Sequence, residues 1–288
     1  MPVIFAVSLL NTMSLFIASL NSGSNGNCYY IGNNNEAVLV DAGLSCREIE
    51  KRMKRLGLIM NKVKAIFVSH EHSDHIFGIP VLSKKHQIPV YITPRTLQSS
   101  RLSIEKHLIV PFAASVPVNI GALTVKAFIK FHDADDPHSF SVTCNGVMVG
   151  IFTDIGRICE PLINHFRECN AAFLEANYDE QMLAAGGYPR HLKNRISGGN
   201  GHLSNSLALQ LFNAYRPPFM THLLLSHLSK NNNEPQLVHN LFKQYSGNVE
   251  IVVASRYQES PVYEIKNPVE VVSVPPSRPQ KALQLSIF

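Results

Sequence analysis

The chain has 288 residues, 45% hydrophobic and 16% charged, with a formal net charge of +5. That length holds one large domain or two small ones with a sizeable core, and the composition is that of a globular soluble protein. The mild positive charge permits a polyanionic partner without demonstrating one, and no stretch approaches the roughly 20 apolar residues that span a bilayer. Residues 1–20 are apolar enough to raise the question of a signal peptide. No Lys or Arg precedes the run, however, and Asn11 and Thr12 interrupt it. Met13 reads as close to a natural start, with 1–12 as an N-terminal extension. Cys28, Cys46, Cys144, Cys159 and Cys169 form no C-x-x-C pair and are odd in number. They suggest reduced thiols and a cytoplasmic protein.

Strand-like runs fall at 15–20, 28–31 and 37–40, with turn residues beside them. The first two are joined by Gly23-Ser24-Asn25-Gly26-Asn27. Small polar residues with two glycines leave backbone N–H groups free to face an anion, although an ordinary hairpin turn has the same composition. Asp41 ends the third run. A helix is predicted over 46–56, where Ile49, Met53 and Leu56 recur at helical spacing. An apolar strand-like stretch at 64–68 leads into Ser69-His70-Glu71-His72-Ser73-Asp74-His75, and 76–86 reads as a helix entry. Histidines clustered with a carboxylate at a strand's end are how a metal site is built on a rigid scaffold. In an extended segment His70 and His72 point the same way. Asp74 and His75 then reach over a second position, so that each pair serves one ion. The bland alternative is a polar loop that happens to be rich in histidine.

Further strand-like runs lie at 90–92, 123–131, 141–144, 147–153, 172–175, 222–226 and 250–254, and helical patterns at 158–168, 204–214 and 234–245. Ser204 and Asn205 offer an N-cap, and Pro217 closes the segment behind that helix. His132, Asp154 and His227 each follow one of these strands, where a rigid scaffold gathers a site. The plain alternatives are a turn residue before Gly156 for Asp154, and competition from His222 at the start of the same strand for His227. Pro268, Pro275, Pro276 and Pro279 exclude regular structure after Lys266. Residues 266–288 therefore read as an extended linker ending in an apolar tip. The element order predicts an α/β protein, with two β-sheets covered outside by helices.

The H-x-H-x-D-H pattern resembles the metallo-β-lactamase fold superfamily, over about 13–265. The resemblance implies an αβ/βα four-layer sandwich of two mixed sheets and two divalent metal ions. It implies that His70, His72 and His132 serve one ion, that Asp74, His75 and His227 serve the other, and that Asp154 bridges them. Asp41, in an Asp-x-Gly segment, would anchor the cluster from behind by accepting a hydrogen bond from a ligand or loop. Imidazole and carboxylate suit zinc, manganese or iron. Two cations about 3.5–4 Å apart activate water and hold both oxygens of an in-line displacement. That chemistry suits phosphodiesters, lactones and thioesters alike.

Leu174-Glu175-Ala176-Asn177 resembles the H-E-A-T segment of the RNase Z nucleases, and Gly201-His202-Leu203-Ser204-Asn205 resembles its partner segment. The likeness implies His202 as a general acid oriented by Glu175. It departs at Leu174 and Asn177, and a helix-capping role for His202 is the alternative. The glycine loop (Gly23, Ser24, Asn25, Gly26), Asp41-Ala42-Gly43-Leu44, His132-Asp133-Ala134 and His227-Leu228-Ser229-Lys230-Asn231-Asn232 together are similar to the YycJ (WalJ) branch, which implies a single-domain 5′→3′ DNA exonuclease. Arg190, His191, Lys193 and Arg195, in a Gly-rich stretch, would hold phosphates or form a solvated loop. Gln284, Leu285, Ile287 and Phe288 resemble the peptide by which bacterial repair proteins dock on the DNA sliding clamp. The expected function is a metal-dependent DNA exonuclease in repair, with DNA and the clamp as partners. A thioesterase or lactonase, an RNase Z-like RNA nuclease, and a binding module that has lost catalysis are the alternatives.

Overall fold

The computed structural model describes residues 14–267; the N-terminal extension and the clamp-like peptide lie outside them. The first sheet is built from β1 (Leu15–Asn21), β2 (Cys28–Gly32), β3 (Ala37–Val40), β4 (Val63–Phe67), β5 (Val90–Tyr91) and β6 (Ile109–Val110). The second contains β7 (Val118–Ile120), β8 (Leu123–Ile129), β9 (His138–Cys144), β10 (Val147–Phe152), β11 (Ala171–Glu175), β12 (His222–Ser226) and β13 (Glu250–Val253). β14 (Tyr263–Ile265) returns to pair with β1, so the orders are β14-β1-β2-β3-β4-β5-β6 and β13-β12-β11-β10-β9-β8-β7. Each sheet is antiparallel in one half and parallel in the other. The helices are α1 (Cys46–Arg55), α2 (Ser73–Ile76), α3 (Ile79–His86), α4 (Pro94–Ser100), α5 (Glu160–Phe166), α6 (Glu180–Ala185), α7 (Arg190–Ser197), α8 (Asn205–Tyr215) and α9 (Pro235–Lys243).

Side chains alternate across each strand, and this alternation makes the layers. Leu15, Ile17, Tyr29 and Ile31 meet Phe140, Val149, Phe173 and Leu224 in the core between the sheets. The residues between them face outward. Tyr30 and Leu39 pack with Ile49 and Met53 of α1 and Leu82 of α3. Leu174, Leu223 and Leu225 pack with Leu162, Phe212 and Phe242 of α5, α8 and α9. The result is a four-layer αβ/βα sandwich. Phe173 is fully buried with its ring centroid 4.9 Å from that of Tyr29. Phe173→Ala is expected to destabilise the fold by about 3–5 kcal/mol, read as a lower urea midpoint at unchanged slope.

Several elements depart from the sequence expectation. The run predicted at 123–131 stops at Ile129, because its partner β9 begins opposite, at His138. The histidine cluster is not part of the strand: β4 stops at Phe67, and His72, with extended backbone, is already the N-cap of α2. The basic stretch read as Gly-rich loop is α7. Order also extends past 265, where Lys266 pairs with Glu264 and Asn170 donates to Asn267 Oδ1 at 3.0 Å. All five cysteines are free. No helix among the described residues is long and apolar enough to cross a membrane.

Candidate metal centre

β3 and β4 run parallel, as do β10, β11, β12 and β13, so the carboxyl ends within each set share an edge. The candidate residues issue from those ends. Asp41 follows β3, His70 to His75 follow β4, Asp154 follows β10, Glu175 ends β11 and His227 follows β12. Asp41, Asp154 and His227 adopt left-handed backbone, with φ of 60°, 55° and 57°. Such conformations cost a non-glycine residue on the order of 1–3 kcal/mol and gather at functional sites.

Each buried imidazole is anchored by one ring nitrogen. Ser69 Oγ donates to Asp41 Oδ2 at 2.8 Å and so accepts from His70 Nδ1 at 2.8 Å. His75 Nδ1 donates to Asp41 Oδ2 at 2.7 Å. His132 Nδ1 donates to the Gly201 carbonyl at 2.9 Å, and His227 Nδ1 to Glu175 Oε1 at 2.9 Å. These bonds assign the tautomers and turn the remaining nitrogens inward. His70 Nε2 then lies 3.1 Å from His72 Nδ1, which lies 3.4 Å from His132 Nε2. Beside them, His75 Nε2 is 3.2 Å from Asp154 Oδ2 and 3.5 Å from Asp74 Oδ2, and His227 Nε2 is 3.6 Å from Asp74 Oδ2. Asp154 stands between the groups, its Oδ1 3.8 Å from His132 Nε2. The donor atoms form compact sets of His70, His72 and His132, of His70, His75 and Asp154, and of Asp74, His75 and His227.

Converging lone pairs repel unless a cation lies among them, and two of the converging atoms, Asp154 Oδ2 and His227 Nε2, have no hydrogen-bond partner among the described residues. The residues therefore fit divalent ions. The field agrees. Burial opposes a charged His75, but Asp154, Asp41 and Asp74 outweigh it and hold its pKa up at about 10. A place that favours a proton also favours a metal cation, whose binding would displace that proton. Burial pushes His132 down to about 4 and His70 well below its usual value, so both are neutral at neutral pH, the form a metal would need. Burial works against an ionised Asp74, yet His75 and His227 together outweigh it and hold it at about 2.

Glu175 is fully buried and its Oε1 accepts from two histidines at 2.9 Å, His202 Nδ1 and His227 Nδ1. Its Oε2 accepts from the amides of Ile155 at 2.6 Å and Leu203 at 3.1 Å. Burial raises its pKa, but the His202 and His227 partners prevail and hold it at about 2. His202 lies beside the cluster, with Nδ1 3.7 Å from Asp154 Oδ1. The helix cap is Ser204, whose side chain accepts from Leu207 N, so His202 is not the cap of α8.

Two sequence expectations need correction. The glycine loop does not present a row of free amides. Gly23 N donates to Asn27 Oδ1 at 2.9 Å, Gly26 N to the Gly23 carbonyl at 2.9 Å, and Asn27 N to the Asp74 carbonyl at 2.7 Å. The loop buttresses the turn that carries Asp74. Ser24 Oγ instead accepts from Arg256, and Asn25 donates to the Arg256 carbonyl. The basic cluster is also partly spent. Arg195 Nε pairs with Asp133 Oδ2 at 2.5 Å, and Lys193 Nζ donates to the Ala184 carbonyl.

Other supporting residues went unread. Asn27 Nδ2 sits 3.1 Å from Asp74 Oδ2, and buried Lys130 Nζ donates to the Thr153 carbonyl at 2.8 Å. Asn177, a departure from H-E-A-T, donates to the His227 carbonyl at 2.7 Å and so holds its left-handed backbone. Gly43 packs so tightly on this turn that a Cβ there would lie 1.7 Å from the Asp74 carbonyl oxygen.

A family profile described as the metallo-beta-lactamase superfamily matches residues 22–150. Exodeoxyribonuclease YycJ of Bacillus anthracis is 34% identical over 233 residues, covering 78% of this chain and 86% of that protein. The chain is a YycJ-like member of the metallo-β-lactamase superfamily. Exodeoxyribonuclease WalJ of Streptococcus pneumoniae is 30% identical over 228 residues, covering 76% of the YycJ-like chain and 84% of its own. The metallo-β-lactamase fold protein YhfI of Bacillus subtilis superposes with a TM-score of 0.69 at 18% identity, over 87% of this chain and 99% of that one. That likeness bears on the fold. Membership, with the histidine and aspartate clusters, makes this YycJ-like protein a metal-dependent hydrolase.

Proposed function

We propose that the protein is a phosphodiesterase that digests DNA as a 5′→3′ exonuclease in repair. The observation that carries this reading is the Glu175–His202 pair, bonded at 2.9 Å, with His202 Nδ1 3.7 Å from Asp154 Oδ1 of the donor cluster. An alkoxide is a poor leaving group and needs a proton, whereas a thioester hydrolase has no such need. The relatives named exodeoxyribonuclease point the same way.

In this reading His70, His72 and His132 hold one ion, Asp74, His75 and His227 hold a second, and Asp154 joins the two; zinc or manganese suits the donors. When bound, the ions supply Lewis acidity to water and to the phosphoryl oxygens. The side chains do the rest. Asp41 and Ser69 fix the ring orientation of His75 and His70. Glu175 holds His202 and His227 together and stabilises positive charge on His202, whose Nε2 delivers a proton to the departing deoxyribose oxygen. The catalytic unit spans about 13–265, and in the cytoplasm the peptide Gln284, Leu285, Ile287 and Phe288 brings it to the DNA sliding clamp.

The test is digestion of 5′-labelled single- and double-stranded DNA with manganese or zinc, beside RNA and a panel of thioesters. Release of labelled mononucleotide from DNA is expected. Thioester turnover with intact DNA overturns the reading. For the tail, clamp pull-down by the chain with Leu285→Ala and Phe288→Ala is expected to fail; undiminished capture removes that part.

A further inference from the structure

We infer that a nucleotide subsite lies beside the metal centre, where Arg256 and Lys230 take a phosphate of the substrate strand and Tyr257 stacks under a base. This rests on the nuclease reading above. A cavity of about 200 Å³ is lined in part by Ser22, Ser229, Lys230, Ser255, Arg256 and Tyr257, and no aspartate or glutamate lines it. Its volume is below the roughly 300–1,000 Å³ of sites that enclose drug-sized ligands, which suits one phosphate and its sugar.

Two cations thus face one hollow without a lining carboxylate. Arg256 is held in place, with Nη2 donating to Ser24 Oγ at 3.2 Å and its carbonyl accepting from Asn25 at 2.8 Å. Its Nη1 is buried and has no hydrogen-bond partner among the described residues. An unsatisfied buried guanidinium nitrogen is costly, and a phosphate satisfies it through paired, charge-assisted bonds.

The surrounding backbone is hydrogen-bonded in place while the aromatic ring is exposed. Arg52 Nη2 donates to the Tyr257 carbonyl at 3.0 Å, Tyr257 N donates to Ser255 Oγ at 3.0 Å, and Ser22 N donates to the Ser255 carbonyl at 3.1 Å. Tyr257 is nevertheless 70% exposed. An exposed aromatic on an anchored backbone, beside cations with no ion-pair partner among the described residues, is the makeup of a single-strand platform. The cavity shares a wall with the centre, because Ser22 Oγ accepts from His227 N at 2.7 Å and residues 228–230 follow His227 directly.

The experiment measures binding of fluorescent phosphorothioate oligonucleotides to the full-length metal-loaded protein, by anisotropy across a salt series. The oligonucleotides carry a 5′-phosphate, a 3′-phosphate or neither. Arg256→Gln and Lys230→Gln are each expected to weaken binding about tenfold or more and to flatten the log–log salt slope by about 0.7. Tyr257→Ala is expected to weaken binding about tenfold at unchanged slope. Loss confined to one phosphorylated form assigns the subsite to that terminal phosphate, and equal loss on all three assigns it to an internal one. In turnover the same changes raise KM more than they lower kcat. Arg256→Lys recovers part of the affinity. Wild-type affinity and slope in both Arg256→Gln and Lys230→Gln overturn the subsite. A wild-type protein that cleaves no DNA overturns the nuclease reading instead, so the two failures are distinct.

Discussion

Asp154→Asn is expected to lower kcat/KM on DNA about a thousandfold or more and to lower the bound metal, with circular dichroism unchanged. Asparagine matches the shape of aspartate and tolerates the left-handed backbone at φ 55°. The substitution therefore isolates charge from geometry. Asp154 is the carboxylate between the two donor groups, 3.2 Å from His75 Nε2 on one side and 3.8 Å from His132 Nε2 on the other. An amide nitrogen at either position turns a donor toward inward-facing lone pairs. A bound ion stabilises the transition state by several kcal/mol, and each 1.36 kcal/mol is tenfold in rate. Elemental analysis by mass spectrometry beside steady-state kinetics reads both effects. Wild-type metal content with wild-type rate would remove Asp154 from the centre.

His202→Gln is expected to slow DNA cleavage about 10²–10⁴-fold, with metal content retained. The side chain is 20% exposed and bonded to Glu175, so glutamine occupies its place without opening the core. Its signature is dependence on the leaving group. A p-nitrophenyl diester departs without a proton and loses far less than DNA does. Equal loss on both substrates would make His202 a positioning residue. Glu175→Gln is expected to be the more disruptive change, since Glu175 also holds His227 and two backbone amides.

The candidate set was legible because its members lie within a few residues of strand ends, after β4, β8, β10 and β12, and strands rich in Val, Ile and Phe are easily read. His132 was found although β8 ends at Ile129, because residues 130–131 continue the chain toward the same edge. What escaped depends on distant partners. The amides of the glycine loop look free until the Asp74 carbonyl and Asn27 side chain are brought to them by folding. α7 was obscured by Gly186 and Gly187 before it and Gly198 and Gly199 after it. β6, β7 and β14 are two or three residues long and carry no periodicity. Arg52 is an ordinary helical arginine in sequence, yet it is buried and bonds the carbonyls of Leu20 and Tyr257. Nothing local marks Arg256 or Tyr257.

The unusual backbone at Asp41, Asp154 and His227 has a dynamic consequence. Three L-residues are kept in conformations they would leave, and they sit where rigid strands give way to loops. Ions held by Asp154 and His227 would hold the strain at those two positions in check. Chelation is therefore expected to quicken amide hydrogen exchange at 154–156 and 227–230 while the strands beneath stay protected. The sheets would then be the permanent part of this molecule, and the tips a clasp that metal closes and chelation loosens.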